Sequence, residues 1–345
     1  MDKSKYQNYA DELDELEPYA DLDPEPAPAR PVKTKHKSMA VQQFNEKFIQ
    51  QQDDSHESVH FTYNPSRFEA GWLMSTLAGF LEQKWISDVL SKVKVGKEAN
   101  VYLCRSGEAV DAPLAAVKIY RPRMLRNLKN DNLYREGRAS LNADGNIIRD
   151  LGMLKAQHKR SLYGEEIRLQ SWIAYEFLSL QKLHKAGADV PRAYEMGANA
   201  VLMEYLGDEE GAAPTLNSVP INRTEAQVLF KRMLENIEIM LRNGIVHGDL
   251  SAYNVLYWQG RGVLIDFPQV ISPNGNRNAW SIFRRDVTRL CEYFQRQGVH
   301  CDPAKLASDL WHRHGYHIRP EVHPSLLDAN DATDRQYFEK NLKAE

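Results

Sequence analysis

Three side chains near the middle of this chain have the types and spacing to work on a triphosphate. Asp249 and Asn254 stand five positions apart in Ile245-Val246-His247-Gly248-Asp249-Leu250-Ser251-Ala252-Tyr253-Asn254-Val255-Leu256, and Asp266 ends the apolar run Val263-Leu264-Ile265 ahead of Phe267-Pro268. Phosphoryl transfer asks for charge neutralisation and in-line positioning more than for covalent chemistry. Asp249 is the candidate base, accepting or orienting the proton of an attacking hydroxyl or water. Asn254 and Asp266 are the candidate Mg2+ ligands, because hard cations prefer oxygen donors. His247 has no second histidine near it in sequence, so it suits bracing the loop better than ligating a metal.

The same chemistry needs a cation at the phosphates. Lys118 interrupts the apolar run Leu114-Ala115-Ala116-Val117-Lys118-Ile119-Tyr120, where Val117 and Ile119 point to the opposite face. Its ammonium would pair with the phosphates and with a helix carboxylate, best supplied by Glu176 in the middle of a predicted helix. Glu165 and Glu166 are more simply first-turn charges that suit the helix dipole. The plainer alternative for Lys118 and Glu176 is an amphipathic strand and a solvated helix face. Gly96-Lys97-Glu98-Ala99-Asn100 lies 22 residues before Lys118. Gly96 would let the backbone approach a phosphate and Lys97 would add a charge, with an ordinary hairpin turn as the alternative.

These residues need elements to hold them. Leu77, Phe80, Leu81, Trp85, Ile86, Val89, Leu90 and Val93 recur every three or four positions and predict one apolar helix face. A hairpin centred on Gly96 follows, then a strand over 114–120. The spacing next predicts a helix over 165–185 closed by Gly187, strands over 193–196 and 200–205, and a helix over 224–242 with Thr224 as N-cap and Gly244 beyond its end. This order predicts an α+β, two-lobed protein-kinase-like fold, with a small β-rich N-lobe, a reduced helical C-lobe and an N-terminal helical extension. The expected divisions are a disordered tail over 1–60, the helical extension over 61–92, the N-lobe over 93–204 with a flexible insert at about 121–160, the C-lobe over 205–320, and a C-terminal tail over 321–345.

Composition bounds the remaining choices. The chain has 345 residues, 42% apolar and 26% charged, enough for a two-lobed core. Its net charge of -3 hides an acidic segment, because residues 1–29 carry nine acids against Lys3 and Lys5 and the remainder is mildly basic. That balance does not by itself argue for nucleic acid. The cluster Lys33-Thr34-Lys35-His36-Lys37 reads first as a solvated linker and second as a contact for RNA or an acidic partner. No run of 18 apolar residues and no signal-peptide core is present, which predicts a cytoplasmic protein with no membrane partner. Cys104, Cys291 and Cys301 form no CxxC pair. His300, Cys301, His312, His314, His317 and His323 match no closed zinc spacing and read as surface histidines.

Taken jointly, Gly96-Lys97-Glu98-Ala99-Asn100-Val101-Tyr102, Lys118, the long insert before the Glu176 helix, Val201-Leu202-Met203-Glu204-Tyr205-Leu206-Gly207, His247-Gly248-Asp249-Leu250-Ser251-Ala252-Tyr253-Asn254 and Ile265-Asp266-Phe267-Pro268-Gln269 resemble the RIO family of atypical protein kinases over about residues 75–300. The resemblance implies ATP and Mg2+ binding, autophosphorylation or serine phosphorylation, and, from better-known members, an ATPase role on maturing small ribosomal particles. It implies that adenine meets the hinge backbone near Glu204 and Leu206, with Met203 beside them, and that Asp266 is the carboxylate which in some members accepts phosphate transiently. Val95 stands where the family usually has a hydroxyl residue.

Three departures from other kinases matter. His247-Gly248-Asp249 lacks the arginine that reads a phosphorylated activation loop. Pro268 replaces the glycine after Asp-Phe and stiffens that turn. About 16 residues separate Pro268 from Arg284-Arg285-Asp286, leaving little room for a peptide-docking platform. Two other readings therefore stand beside a serine/threonine kinase: a small-molecule phosphotransferase of the aminoglycoside or choline kinase kind, and a nucleotide-gated assembly factor on ribosomal particles or RNA.

Overall fold

The computed structural model describes residues 61–96, 99–120, 134, 136–157, 161–318 and 335. The expected tail over 1–60 lies outside the described residues, as do Lys97, Glu98, most of 121–135, residues 158–160 and, apart from 335, the C-terminal tail. Glu57–Ile318 forms one compact unit, and everything below concerns it.

The chain enters through helix α1 (Arg67–Glu82) and continues into strands β1 (Ile86–Val95), β2 (Ala99–Ser106) and β3 (Leu114–Tyr120). With β4 (Ala193–Met196) and β5 (Ala200–Glu204) these make a five-stranded antiparallel sheet in the order β1-β2-β3-β5-β4. Alternation along β3 explains its two faces. Val117 and Ile119 join Leu73, Leu77 and Phe80 of α1 in one core, whereas Tyr120 joins the core beneath the long helix α3 (Leu162–Lys185). Lys118 shares the α3-facing side with Tyr120.

The helical face predicted to run from Leu77 to Val93 is corrected here. The helix stops at Glu82, Lys84 takes a left-handed φ of 58°, and Ile86 onward is strand. The misreading has a physical cause. The β1–β2 register shifts between Ile86 and Asp88, between Val89 and Ser91 and between Lys92 and Lys94, so buried Ile86 and Val89 fall three apart, as they would on a helix.

The insert contributes α2 (Leu151–Gln157), which packs on α3. The second lobe holds α4 (Arg223–Arg242), the hairpin β6 (Val255–Trp258) and β7 (Arg261–Leu264), α5 (Ala279–Arg296) and α6 (Pro303–Arg313). Helix α4 is capped by Asn222, whose side chain accepts from Glu225 N–H at 3.0 Å, rather than by Thr224, which lies inside the first turn. Met233, Ile237 and Met240 of α4, Ile282, Val287 and Leu290 of α5, and Leu310 and Trp311 of α6 share one core with Leu250 and Phe267. The loop carrying Asp249 and the turn carrying Asp266 therefore rest on packed helices. Among the described residues the three cysteines are free, no helix is long and apolar enough to cross a membrane, and no His, Cys, Asp or Glu cluster is arranged to hold a metal.

Candidate active site

Strand β3 places Lys118 between Val101 of β2 and Val201 of β5, where its side chain is 14% exposed. Its Nζ reaches Glu176 Oε1 and Asp266 Oδ1 at 2.6 Å each. Burial opposes the Lys118 charge, but the two carboxylates outweigh it and hold the ammonium protonated well above its ordinary range. Asp266 is held below the ordinary carboxylate range, because Lys118 outweighs its desolvation. Glu176, more deeply buried, is pushed up by desolvation and by the Asp266 charge. Glu176 also accepts from the Tyr120 hydroxyl and, at 3.4 Å, from Phe267 N–H. The expected Lys118–Glu176 pair is formed, with Asp266 as a third member.

Asp266 adopts φ 72°, a left-handed conformation that aspartate tolerates better than most residues. The turn around it is anchored by Ile265 N–H to Asn254 O at 3.0 Å and by the backbone pairing of Val246 with Ile271. His247 is buried, its Nε2 lies 3.1 Å from Ile265 O, and its Nδ1 accepts from Asp249 N–H at 3.3 Å. Burial holds its imidazole below the ordinary histidine value. These contacts tie it to the backbone of Ile265 and Asp249.

Asn254 donates through Nδ2 to Asp249 O at 2.8 Å and to Asp249 Oδ2 at 3.0 Å. The Asn254 amide nitrogen is thus turned toward Asp249. Burial and the Asp266 charge push the Asp249 carboxyl up, against Arg289, Arg285 and Asn254. Oxygen donors from Asn254 and Asp266 beside a lysine fit a small hard cation and its phosphates.

At the hinge, Met203 pairs with Ala116, and Glu204 N–H donates to Arg192 O at 2.8 Å. The Leu206 carbonyl accepts from Ala213 N–H at 2.8 Å. Gly96 closes the β1–β2 turn by donating its N–H to Ala99 O at 2.9 Å, and a Cβ there would sit 2.7 Å from that oxygen. The tight turn therefore already requires the glycine. Lys97 lies outside the described residues.

Helix α5 adds residues that the motifs did not single out for a role. Asp286 Oδ2 accepts from Gly248 N–H at 2.8 Å, Arg285 Nη2 donates to Gly248 O at 2.5 Å, and Arg289 Nη1 pairs with Asp249 Oδ1 at 3.2 Å. The signal in the sequence was two arginines four apart beside a buried aspartate, the i, i+4 spacing of one helix face. The insert reaches the same region: Tyr134 OH accepts from Arg285 at 3.3 Å, Arg138 donates to Pro268 O at 3.0 Å, and Glu136 pairs with Arg277 at 3.0 Å.

Residues 100–306, more than half of the chain, match the RIO domain family model. The chain is 31% identical over 217 residues to the RIO-type serine/threonine-protein kinase Rio1 of Haloferax volcanii, covering 62% of this chain and 66% of that protein. It is 29% identical over 239 residues to the serine/threonine-protein kinase RIO1 of Chaetomium thermophilum, covering 65% and 42%. The matched region is thus two-thirds of the first of these relatives and under half of the second. Two crystal structures of the Rio2 kinase from C. thermophilum, one a complex with ADP/Mg2+ and phosphoaspartate, share the fold at TM-scores of 0.50 and 0.51 and 19% identity, covering 89% of this chain and 86% and 88% of theirs.

Proposed function

The chain belongs to the RIO domain family, and from that membership we propose that it is an ATP- and Mg2+-dependent serine/threonine kinase that phosphorylates itself and turns over ATP as an ATPase in ribosome-related assembly. The observation that carries this reading is the convergence of Lys118, Glu176 and Asp266 within 2.6 Å contacts, beside an Asp249–Asn254 pair. Lys118 takes the nucleotide's phosphates while Glu176 keeps its ammonium in place. Asn254 and Asp266 hold Mg2+, which supplies charge neutralisation on the phosphate oxygens. Asp249 receives the proton of the attacking hydroxyl, and the hinge at Met203, Glu204 and Leu206 seats the base. Gly96 lets the β1–β2 turn approach the phosphates, and Lys97 is assigned an added charge there from the sequence alone.

The test is incubation of the purified full chain with Mg2+ and labelled ATP, followed by separation of acid-stable from acid-labile phosphate. Serine ester supports a kinase cycle, and acyl phosphate on Asp266 an ATPase cycle. Neither labelling nor phosphate release, together with no thermal shift on adding nucleotide, would overturn the proposal. Transfer to a small alcohol or aminoglycoside without protein labelling would favour the small-molecule phosphotransferase. The assembly-factor reading is favoured by the insert lying over residues 268–278 through the Glu136–Arg277 and Arg138–Pro268 contacts, where a peptide platform would have to stand. Nucleotide-dependent cosedimentation with ribosomal particles or RNA tests it.

A further inference from the structure

Helix α5 addresses two successive residues of the catalytic loop from little more than one of its turns. Asp286 and Arg285 grip the backbone of Gly248, and they would do so whatever side chain stood at position 249. Arg289 differs, because its Nη1 contacts the Asp249 carboxylate itself at 3.2 Å. The pair is partly open to solvent, with side chains 22% and 42% exposed. An ion pair that open adds little to folding. Stability is therefore a poor reason for an arginine at this place.

The chemistry offers a better reason. Residues 245–256, which carry Asp249 and Asn254, include no lysine or arginine. Lys118 pairs with Glu176 and Asp266 and is assigned to the nucleotide's phosphates, not to the base. Negative charge gathers on the phosphoryl oxygens and the base as transfer proceeds, and a fixed cation beside the base stabilises it. Arg289 brings that cation from a neighbouring helix. Asn254 holds Asp249 Oδ2 at 3.0 Å and Arg289 holds Oδ1, so both carboxylate oxygens are anchored. An ionised carboxylate offers about four lone-pair positions, so two anchors fix its plane and still leave room for an incoming hydroxyl.

We propose that Arg289 is a positioning residue for phosphoryl transfer, orienting the Asp249 carboxylate and supplying the cation that the catalytic loop lacks at the acceptor end of the site. The role rests on the phosphotransferase reading given above. In the step it serves, the acceptor oxygen forms a bond to the γ-phosphorus, the bond to the β,γ-bridging oxygen breaks, ADP leaves with that electron pair, and the acceptor proton passes to Asp249. Arg289 stays protonated throughout.

The experiment compares wild type, Arg289→Gln, Arg289→Lys and Arg289→Ala as full chains, reading labelled-ATP turnover and the thermal shift with Mg-ADP on the same samples. General-base steps contribute about 100- to 10,000-fold, so impairing the base without removing it should lower kcat of Arg289→Gln about 10- to 100-fold while KM for ATP stays within about twofold. Arg289→Lys should recover part of that loss. Millimolar guanidinium ion should raise the turnover of Arg289→Ala and leave wild type unaffected. Turnover of Arg289→Gln within about twofold of wild type would overturn the assignment. So would equal losses in the Gln and Lys variants with no guanidinium rescue and a lowered melting temperature, the pattern of a merely structural residue. A wild type that turns over no ATP would instead overturn the phosphotransferase reading, and the role of Arg289 with it.

Discussion

At residue scale, the glycine of His247-Gly248-Asp249 has a second meaning beyond the missing arginine. Gly248 has φ 85°, and a Cβ there would lie 2.4 Å from Gln269 O. Gly248→Ala must therefore strain the backbone and push the Asp266 turn away. We expect a loss of about 1–3 kcal/mol in chemical denaturation and a larger proportional loss of turnover. Asp249 and Lys118 separate binding from chemistry. Asp249→Asn removes the base and leaves one acceptor oxygen where Asn254 and Arg289 held two, while Lys118, Glu176 and Asp266 are untouched, so nucleotide binding should persist while turnover falls about 100- to 10,000-fold. Lys118→Ala takes the shared cation from Glu176 and Asp266, so binding and turnover should both fall, and equal ATP affinity in that variant would sink its assigned role. As the proposed base Asp249 would have to be ionised, and its carboxyl is held above the ordinary aspartate value. Turnover should then decline with acidification while still above the pH of about 4 at which a free aspartate protonates. A pH–kcat profile flat down to that point would contradict the raised Asp249 carboxyl.

At element scale, helix α1 is tied to the sheet by the Glu69 carboxylate as well as by its apolar face. Glu69 accepts from the Tyr102 hydroxyl at 2.5 Å, from Tyr63 at 3.1 Å, and pairs with Lys92 at 2.6 Å, with its side chain 13% exposed. Desolvation raises its pKa, but the bonds from Lys92, Tyr102 and Tyr63 outweigh it, and the net shift is downward. A carboxyl lowered in the folded state contributes stability that is present above its unfolded pKa and lost as pH falls through the folded one. Glu69→Gln should therefore cost about 1–3 kcal/mol near neutral pH, and the difference from wild type should shrink below about pH 4. A difference independent of pH would mean that shape, not charge, holds α1. The same elements show what the sequence could and could not convey. Strand β3 and helix α3 were legible because their patterns were unbroken, β3 around a single lysine and α3 up to Gly187. Strand β1 was not, since its register shifts gave Ile86 and Val89 a helical spacing. The Arg289–Asp249 contact was illegible for another reason: its partners are 40 residues apart and meet only when α5 packs under the catalytic loop.

At the scale of the whole compact unit, the two larger cores are divided by the sheet. One lies between α1 and the strands, and the other extends from α3 through α4, α5 and α6. The Lys118–Glu176–Asp266 contacts join β3, α3 and the turn after β7, so a ligand seated there touches elements of both lobes at once. A ligand that binds only the folded state stabilises it by mass action, about 2.7 kcal/mol at a hundredfold excess over its Kd. For a unit of this size that corresponds to a rise in melting temperature of about 5–10 °C. A non-hydrolysable ATP analogue with Mg2+ should produce such a rise in the full chain. Removing Mg2+ with a chelator should lose most of it if Asn254 and Asp266 are the proposed ligands, since they would then reach the nucleotide through the cation. The variant Asn254→Ala should behave as wild type does without Mg2+, since it takes away one oxygen donor and leaves Lys118 and the hinge intact. A shift that is the same with and without Mg2+ would remove Asn254 and Asp266 from the metal assignment while leaving nucleotide binding in place. A shift lost in Asn254→Ala but insensitive to the chelator would instead mean that the loop collapses when the Asn254–Asp249 bonds are cut, and the amide would then be a brace for the base.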